Sequence, residues 1–265
     1  MKAPSSKTIF FITGAFVGHN CWDLWVGYFE SQGYTCIVHP WPFKDAPVAV
    51  LKSRQPDYNI AGTRLGSLVD YYAERITYLP ERPIIIGHSI GGLIVQLLLQ
   101  RNLASAGVAI HPVAPQGVIT ISWSMMKSVW GPLGFFTSVR KSYMMSLKSW
   151  KYIFTNGMSE DDQVKSYSQY AIPESKLVSR DGLTSAARLD FTRAHVPLLI
   201  TSGSDDHIVP AALNFANYKK YSDADSVTEY KEFKGRNHFV LGQSTWKLDA
   251  EYILKWLKGS CTFKI

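Results

Sequence analysis

Cysteine is scarce in this 265-residue chain: Cys21, Cys36 and Cys261 are the three it has. The number is odd and no C-x-x-C spacing occurs, which argues against a disulfide framework and against a cysteine-based zinc site. A reducing, cytoplasmic setting is therefore expected. Long apolar runs are missing too. None approaches the 18 or so residues of a membrane span, so no stable membrane insertion is expected. The N-terminal "MKAPSSKTIFFITGAFVGHN" carries only a short apolar stretch with no small-residue cleavage pattern after it. It reads as a first core strand rather than a signal peptide. Blocks of like charge are also absent. The formal net charge is +7, but the basic residues are scattered and no nucleic-acid-binding signature accompanies them, so no nucleic-acid partner is expected. No fixed-period repeat or low-complexity tract occurs.

What is present is an alternation of strand-like and helix-like segments. "KTIFFITGA", "YTCIVHP", "PIIIG", "AGVAIHPV", "VPLLITSG" and "VTEYKEFK" read as strands. Between them lie segments with helical spacing. "NCWDLWVGYFESQG" has Asn20 as an expected N-cap and Gly33 as its stop. The stretch Tyr58 to Pro80 carries apolar residues at Leu65, Leu68, Val69, Tyr72 and Ile76. "GGLIVQLLLQRN", "PAALNFANYKKY" and "STWKLDAEYILKWLKG" complete the set. Such alternation implies an α/β fold with a mostly parallel central sheet and helices on both faces. The continuous apolar runs "IFFI", "IIIG" and "LLIT" suit strands covered on both sides.

One block breaks the alternation. Residues 117–194 lack strand signals, are rich in large aromatics, and hold five of the six methionines: Met125, Met126, Met144, Met145 and Met158. A helical cap at 117–194, inserted after one strand of a core made of 1–116 and 195–265, accounts for this. Such a cap buries one face and can line a pocket with the other.

The chemistry centres on "PIIIGHSIGGLIVQLLL". Gly87-x-Ser89-x-Gly91 stands where strand periodicity gives way to helix periodicity. A nucleophile elbow needs that context: the serine sits on a tight strand-to-helix turn whose neighbours two residues away must be small. Neither G-x-x-x-x-G-K-[ST] nor G-x-G-x-x-G is present, so a phosphate-binding loop fits less well. A serine nucleophile needs a base, and the base needs an orienting carboxylate. "PLLITSGSDDHIVP" puts two acids, Asp205 and Asp206, just after a late strand. "FKGRNHFV" puts His238 after the last strand. Of the other histidines, His88 is expected to point away from the site, and His39, His111 and His195 to be structural. His207 adjoins the acids. His19 is a candidate to line the site. Oxyanion donors are expected from the N–H of Ile90, at a helix N-terminus, and from Ala15 in the loop after the first strand.

Together these residues resemble the α/β-hydrolase superfamily, in its serine hydrolase branch. The elbow reads Gly87-His88-Ser89-Ile90-Gly91-Gly92. The family's G-x-x-D-x-x-V-P acid motif reads Gly203 to Pro210 and selects Asp206. Its G-x-x-H motif reads Gly235-Arg236-Asn237-His238. In the early HGx motif the usual His is Thr13 here, followed by Gly14-Ala15. The closer look is of small cap-bearing bacterial esterases and N-acyl-homoserine lactonase-like hydrolases. The resemblance implies hydrolysis of carboxylic esters through an acyl-enzyme on Ser89, His238 and Asp206, without cofactor or metal. The substrate expected is a small ester with a medium-sized apolar acyl or aryl group, met by Phe16, His19, Met125, Trp130 and Met145. A lactone-opening activity is the alternative. C–C bond hydrolysis and ligand reception without turnover rank lower. The oligomeric state is not legible in the sequence.

Overall fold

The computed structural model describes Pro4, residues 6–119 and residues 123–259; Cys261 and the side chain of Trp130 lie outside the described residues. Six strands form one sheet: β1 (Thr8–Ile12), β2 (Thr35–Val38), β3 (Ile84–His88), β4 (Ala106–Ile110), β5 (Leu198–Gly203) and β6 (Thr228–Phe233). Their order is β2-β1-β3-β4-β5-β6, and every neighbouring pair is parallel. β1, β3, β4 and β5 are buried nearly along their whole length, as the unbroken apolar runs require when helices cover both faces. The "IFFI" run is thus a central strand, paired on both sides.

The helices are α1 (Asp23–Ser31), α2 (Val48–Ser53), α3 (Tyr58–Ala61), α4 (Leu65–Thr77), α5 (Ile90–Gln100), α6 (Trp123–Leu133), α7 (Leu147–Ile153), α8 (Glu160–Tyr170), α9 (Lys176–Asp181), α10 (Ala211–Lys220) and α11 (Trp246–Leu257). Among the described residues none is long and apolar enough to cross a membrane. Four of them, α6 to α9, lie between β4 and β5, in the block whose pattern broke the alternation.

Two local expectations fail for long-range reasons. Asn20 does not cap α1. It lies in a 3-10 turn, His19–Trp22, and its side-chain amide donates to the Gln169 carbonyl (3.2 Å). The single helix expected over Tyr58–Pro80 is broken at Gly62–Arg64. Asp57 caps α3, accepting from Asn59 and Ile60 N–H. Asp181, more than a hundred residues away, accepts Leu65 N–H (3.0 Å) at the start of α4 and pairs with Arg64. A cap borrowed from a distant segment leaves no local signature.

The strand order also positions the site. From β1 the chain runs outward to β2, then crosses to β3 on the other side of β1. Loops leaving β1 and β3 diverge there, and the carboxyl ends of the strands open a crevice between them.

Candidate active site

Ser89 follows β3 directly and opens α5 with φ 58° and ψ −119°, a region an L-residue seldom occupies. The flanking glycines are required by close packing. A Cβ on Gly87 would stand 2.3 Å from the Gly91 carbonyl oxygen, and one on Gly91 would stand 2.2 Å from that of Ile12. The turn can be this tight only because both side chains are missing. The Ser89 carbonyl receives Leu93 and Val113 N–H. The N–H groups of the first turn of α5, Ile90 included, have no partner within the helix and point out of its N-terminus.

Ser89 Oγ lies 3.0 Å from Nε2 of His238, and Nδ1 of His238 lies 2.7 Å from Oδ2 of Asp206. All three are buried. Asp206 follows β5 and His238 follows β6, so three strand ends bring the groups together over 149 residues of sequence. A carboxylate can only accept, so Nδ1 of His238 carries the proton and Nε2 is free to receive the Ser89 hydroxyl. The other carboxylate oxygen, Oδ1, accepts Ile208 and Val209 N–H (3.0 and 2.8 Å). Burial by itself would raise the Asp206 carboxyl. The electrostatic interaction with His238, and hydrogen bonds from His111 and His238, outweigh it and hold the group well below the usual carboxylate range. Asp205, next door, is exposed and takes the Ser204 hydroxyl.

Two histidines have roles the sequence did not suggest. His88 does not turn away. Its Nε2 donates to the His238 carbonyl (2.9 Å), with the two rings 4.7 Å apart. Burial, then the nearby His238 and His111, push its pKa well below that of ordinary histidine, so it is a neutral prop. His111, one residue past β4, lies 3.1 Å from the same Asp206 oxygen that His238 uses. His111, Asp206 and His238 are the one group among the described residues with metal-ligand types close together. Direct hydrogen bonds already join them.

The loop after β1 is tied down on both sides. Trp41 Nε1 donates to the Thr13 carbonyl (3.0 Å). Phe16, at φ 68°, gives its N–H to Glu174 Oε2 (3.1 Å) and takes Ile172 N–H on its carbonyl (2.9 Å). Gly18 N–H donates to the Tyr170 carbonyl. Glu174 is in turn paired with Lys44, whose ammonium sits 4.1 Å over the Trp41 ring. Both charges are buried. Burial lowers the Lys44 pKa and the carboxylate partly restores it. Removing one partner of such a pair leaves an uncompensated buried charge. Glu174→Gln is therefore expected to lower stability by about 3 kcal/mol, measured by urea denaturation; a wild-type midpoint would show that the pair contributes nothing.

A cavity of about 510 Å³ opens over these groups. Ala15, Phe16, Ser89, Ile90 and His238 form its floor, and Met125, Val129 and Leu133 of α6 stand in its wall. Phe154 borders it as well, edge-on to the His238 ring at 4.9 Å. Of the residues expected to meet substrate, Phe16 and Met125 border the cavity. His19 and Met145 do not. His19 sits in the 3-10 turn beyond the clamped loop. Met145 is buried in the core cluster that holds Trp150 and Phe154, and its carbonyl takes the Tyr167 hydroxyl. Methionine fills core gaps as readily as pockets, so composition did not separate the two uses. Among the described residues the cysteines play no part here: Cys21 and Cys36 are free, and burial pushes the Cys36 thiol up to about 12.

A strained serine at a strand-to-helix turn, hydrogen-bonded to a histidine and a carboxylate at later strand ends, can be compared with known proteins. The sequence profile of the alpha/beta hydrolase family matches residues 9–246. The chain belongs to that family. Among curated protein sequences none matches it. Solved structures similar to this hydrolase include a monoacylglycerol lipase from Paleococcus ferrophilus, with TM-score 0.66, 18% identity and 98% of each chain covered. A methylesterase from Arabidopsis has TM-score 0.66 and 15% identity, over 95% of this chain and 99% of its own. Tomato methylketone synthase I has TM-score 0.69 and 15% identity, over 97% and 99%. At these identities the likeness is one of fold.

Proposed function

We propose that this hydrolase cleaves small carboxylic esters through an acyl-enzyme, with Ser89 as nucleophile, His238 as general base and acid, and Asp206 as the acid that orients it. The observation that carries the reading is the hydrogen-bonded chain Ser89–His238–Asp206 at the floor of an apolar cavity. As Ser89 Oγ bonds to the carbonyl carbon, its proton passes to His238 Nε2, and the carbonyl π electrons move onto oxygen. That oxyanion needs fixed donors. Phe16 N–H is committed to Glu174, so Ala15 N–H is the donor from the β1 loop, opposite Ile90 N–H at the start of α5. When the intermediate collapses, the C–O bond to the alcohol breaks and the leaving oxygen takes the proton from His238. Water, deprotonated by the same imidazole, then releases the acid and restores Ser89.

The insertion between β4 and β5 acts as a cap in this reading, and its α6 side chains set the acyl length accepted. Apolar walls favour uncharged, medium-sized acyl or aryl groups. The test is a panel of p-nitrophenyl esters of graded chain length beside acyl lactones. Steady multiple turnover peaking at medium esters supports an esterase. Turnover confined to the lactones moves the assignment to lactone opening, and no turnover of either class overturns both. Met125→Ala is expected to move the chain-length optimum toward longer esters while altering acetate turnover less than threefold. Met145→Ala, by contrast, is expected to leave the optimum in place and lower Tm, because a truncated buried methionine costs about 2 kcal/mol or more. An unchanged optimum in Met125→Ala would remove α6 from substrate choice.

A further inference from the structure

We propose that His111 is a positioning residue for Asp206: it fixes which carboxylate oxygen meets His238 and draws negative charge away from that oxygen. This rests on the Ser89–His238–Asp206 reading above. His111 is fully buried and stands one residue beyond β4 with φ 44°, in the left-handed region that few non-glycine residues occupy. β5 makes room for its ring at Gly203, where a Cβ would come within 2.7 Å of His111 Cε1. Strained backbone on one strand end and cleared space on another put the imidazole beside the carboxylate.

Its Nδ1 is 3.1 Å from Asp206 Oδ2, the oxygen that also accepts from His238. Because a carboxylate only accepts, His111 carries its proton on Nδ1. Its Nε2 is buried and has no hydrogen-bond partner among the described residues, so the bond to Asp206 is the one hydrogen bond its ring makes there. Asp206 thus receives four donors, two on each oxygen. The remaining ionisable neighbours are few. His88 on β3 faces both rings, and Asp249 of α11, paired with Arg236, lies further out but within electrostatic reach of His111. His111 itself does not border the substrate cavity.

These facts set the direction of the effect. Without the His111 donor, Oδ2 presents more charge to His238, the imidazolium is stabilised, and the acid limb of kcat/KM moves to higher pH. The carboxylate also loses one of its anchors, so kcat falls. KM stays put because no cavity wall changes.

The experiment compares the wild type, His111→Leu and His111→Asn in hydrolysis of p-nitrophenyl butyrate across pH. Asn tolerates the left-handed backbone and keeps an amide donor near the position of Nδ1. His111→Leu is expected to lower kcat about tenfold, leave KM within twofold, and raise the acid limb by about half a pH unit or more. His111→Asn is expected to restore the wild-type limb. An unmoved limb in His111→Leu, or the same shift in both variants, overturns the inference. Nitrogen-15 NMR of histidine-labelled wild-type protein needs no variant and decides the matter should His111→Leu not fold. A protonated Nδ1 and bare Nε2 on His111 at neutral pH support the role; the opposite tautomer overturns it. Turnover surviving in Ser89→Ala would remove the underlying reading itself, and is a separate result from any on His111.

Discussion

Ser89→Ala is expected to reduce ester turnover about 10⁵-fold or more while leaving the fold intact, in line with removal of a serine nucleophile elsewhere. The size follows from the site. Without Oγ no covalent intermediate forms, and His238 has only water to activate. The oxyanion donors and the cavity persist, so a small residual rate above that of water alone remains. Alanine also keeps the Cβ the elbow already accommodates, and a circular dichroism melt near the wild-type Tm is expected. A serine-directed phosphonate should label the wild type at Ser89 alone, read by peptide mass spectrometry. Labelling elsewhere, or an active Ser89→Ala protein, would end the assignment.

The two adjacent acids make the second test. Asp206 is buried and bonds to His238 Nδ1, whereas Asp205 is exposed and occupied with Ser204. In Asp206→Asn, the side-chain amide can turn its NH₂ toward His238, which then has to place its own proton on Nε2. That tautomer cannot accept from Ser89. A loss of about 10³-fold or more in kcat is expected, given that a serine protease losing its orienting acid drops about 10⁴-fold. Asp205→Asn is expected to cost about threefold or less, since exposed substitutions away from a site have small effects. Equal losses in both variants would mean the acid acts through the loop's conformation rather than through His238.

How much of this was legible in the sequence depends on the range of the interaction. The strands, their alternation with helices and the elbow could be read because each rests on a pattern within about a dozen residues. Ser89, Asp206 and His238 stood out because each immediately follows a strand-like run. His111 follows one too, yet beside Pro112 it looked like any strand-end histidine. What marks it is a carboxylate 95 residues later and a glycine at position 203 that clears its ring. Glu174 and Lys44 were silent for the same reason, being 130 residues apart. The apolar pattern told which methionines lay in the insertion, but not that Met125 faces the cavity and Met145 the core. That difference is decided by how the inserted helices pack, not by their composition.

In the proposed site, the bonds that brace the triad and the side chains of α6 that wall the cavity come mostly from different stretches of the segment between β4 and β5, with Phe154 belonging to both. Ile172 and Glu174 grip the loop that carries Ala15. The backbone at Phe154 and Asn156 braces the turn at His238, accepting Phe239 N–H and the Asn237 amide. The wall helix α6 touches the Asp206 loop at Ser128, whose hydroxyl donates to the His207 carbonyl (3.3 Å), while its Met125, Val129 and Leu133 face the cavity. On the proposed function, rate and substrate range are therefore expected to be largely separable in this chain. A lineage, or a laboratory selection, is expected to explore new acyl groups by varying the cavity-facing positions of α6, Met125, Val129 and Leu133, whereas changes around 154–156 and 170–174 are expected to be selected against whatever the substrate.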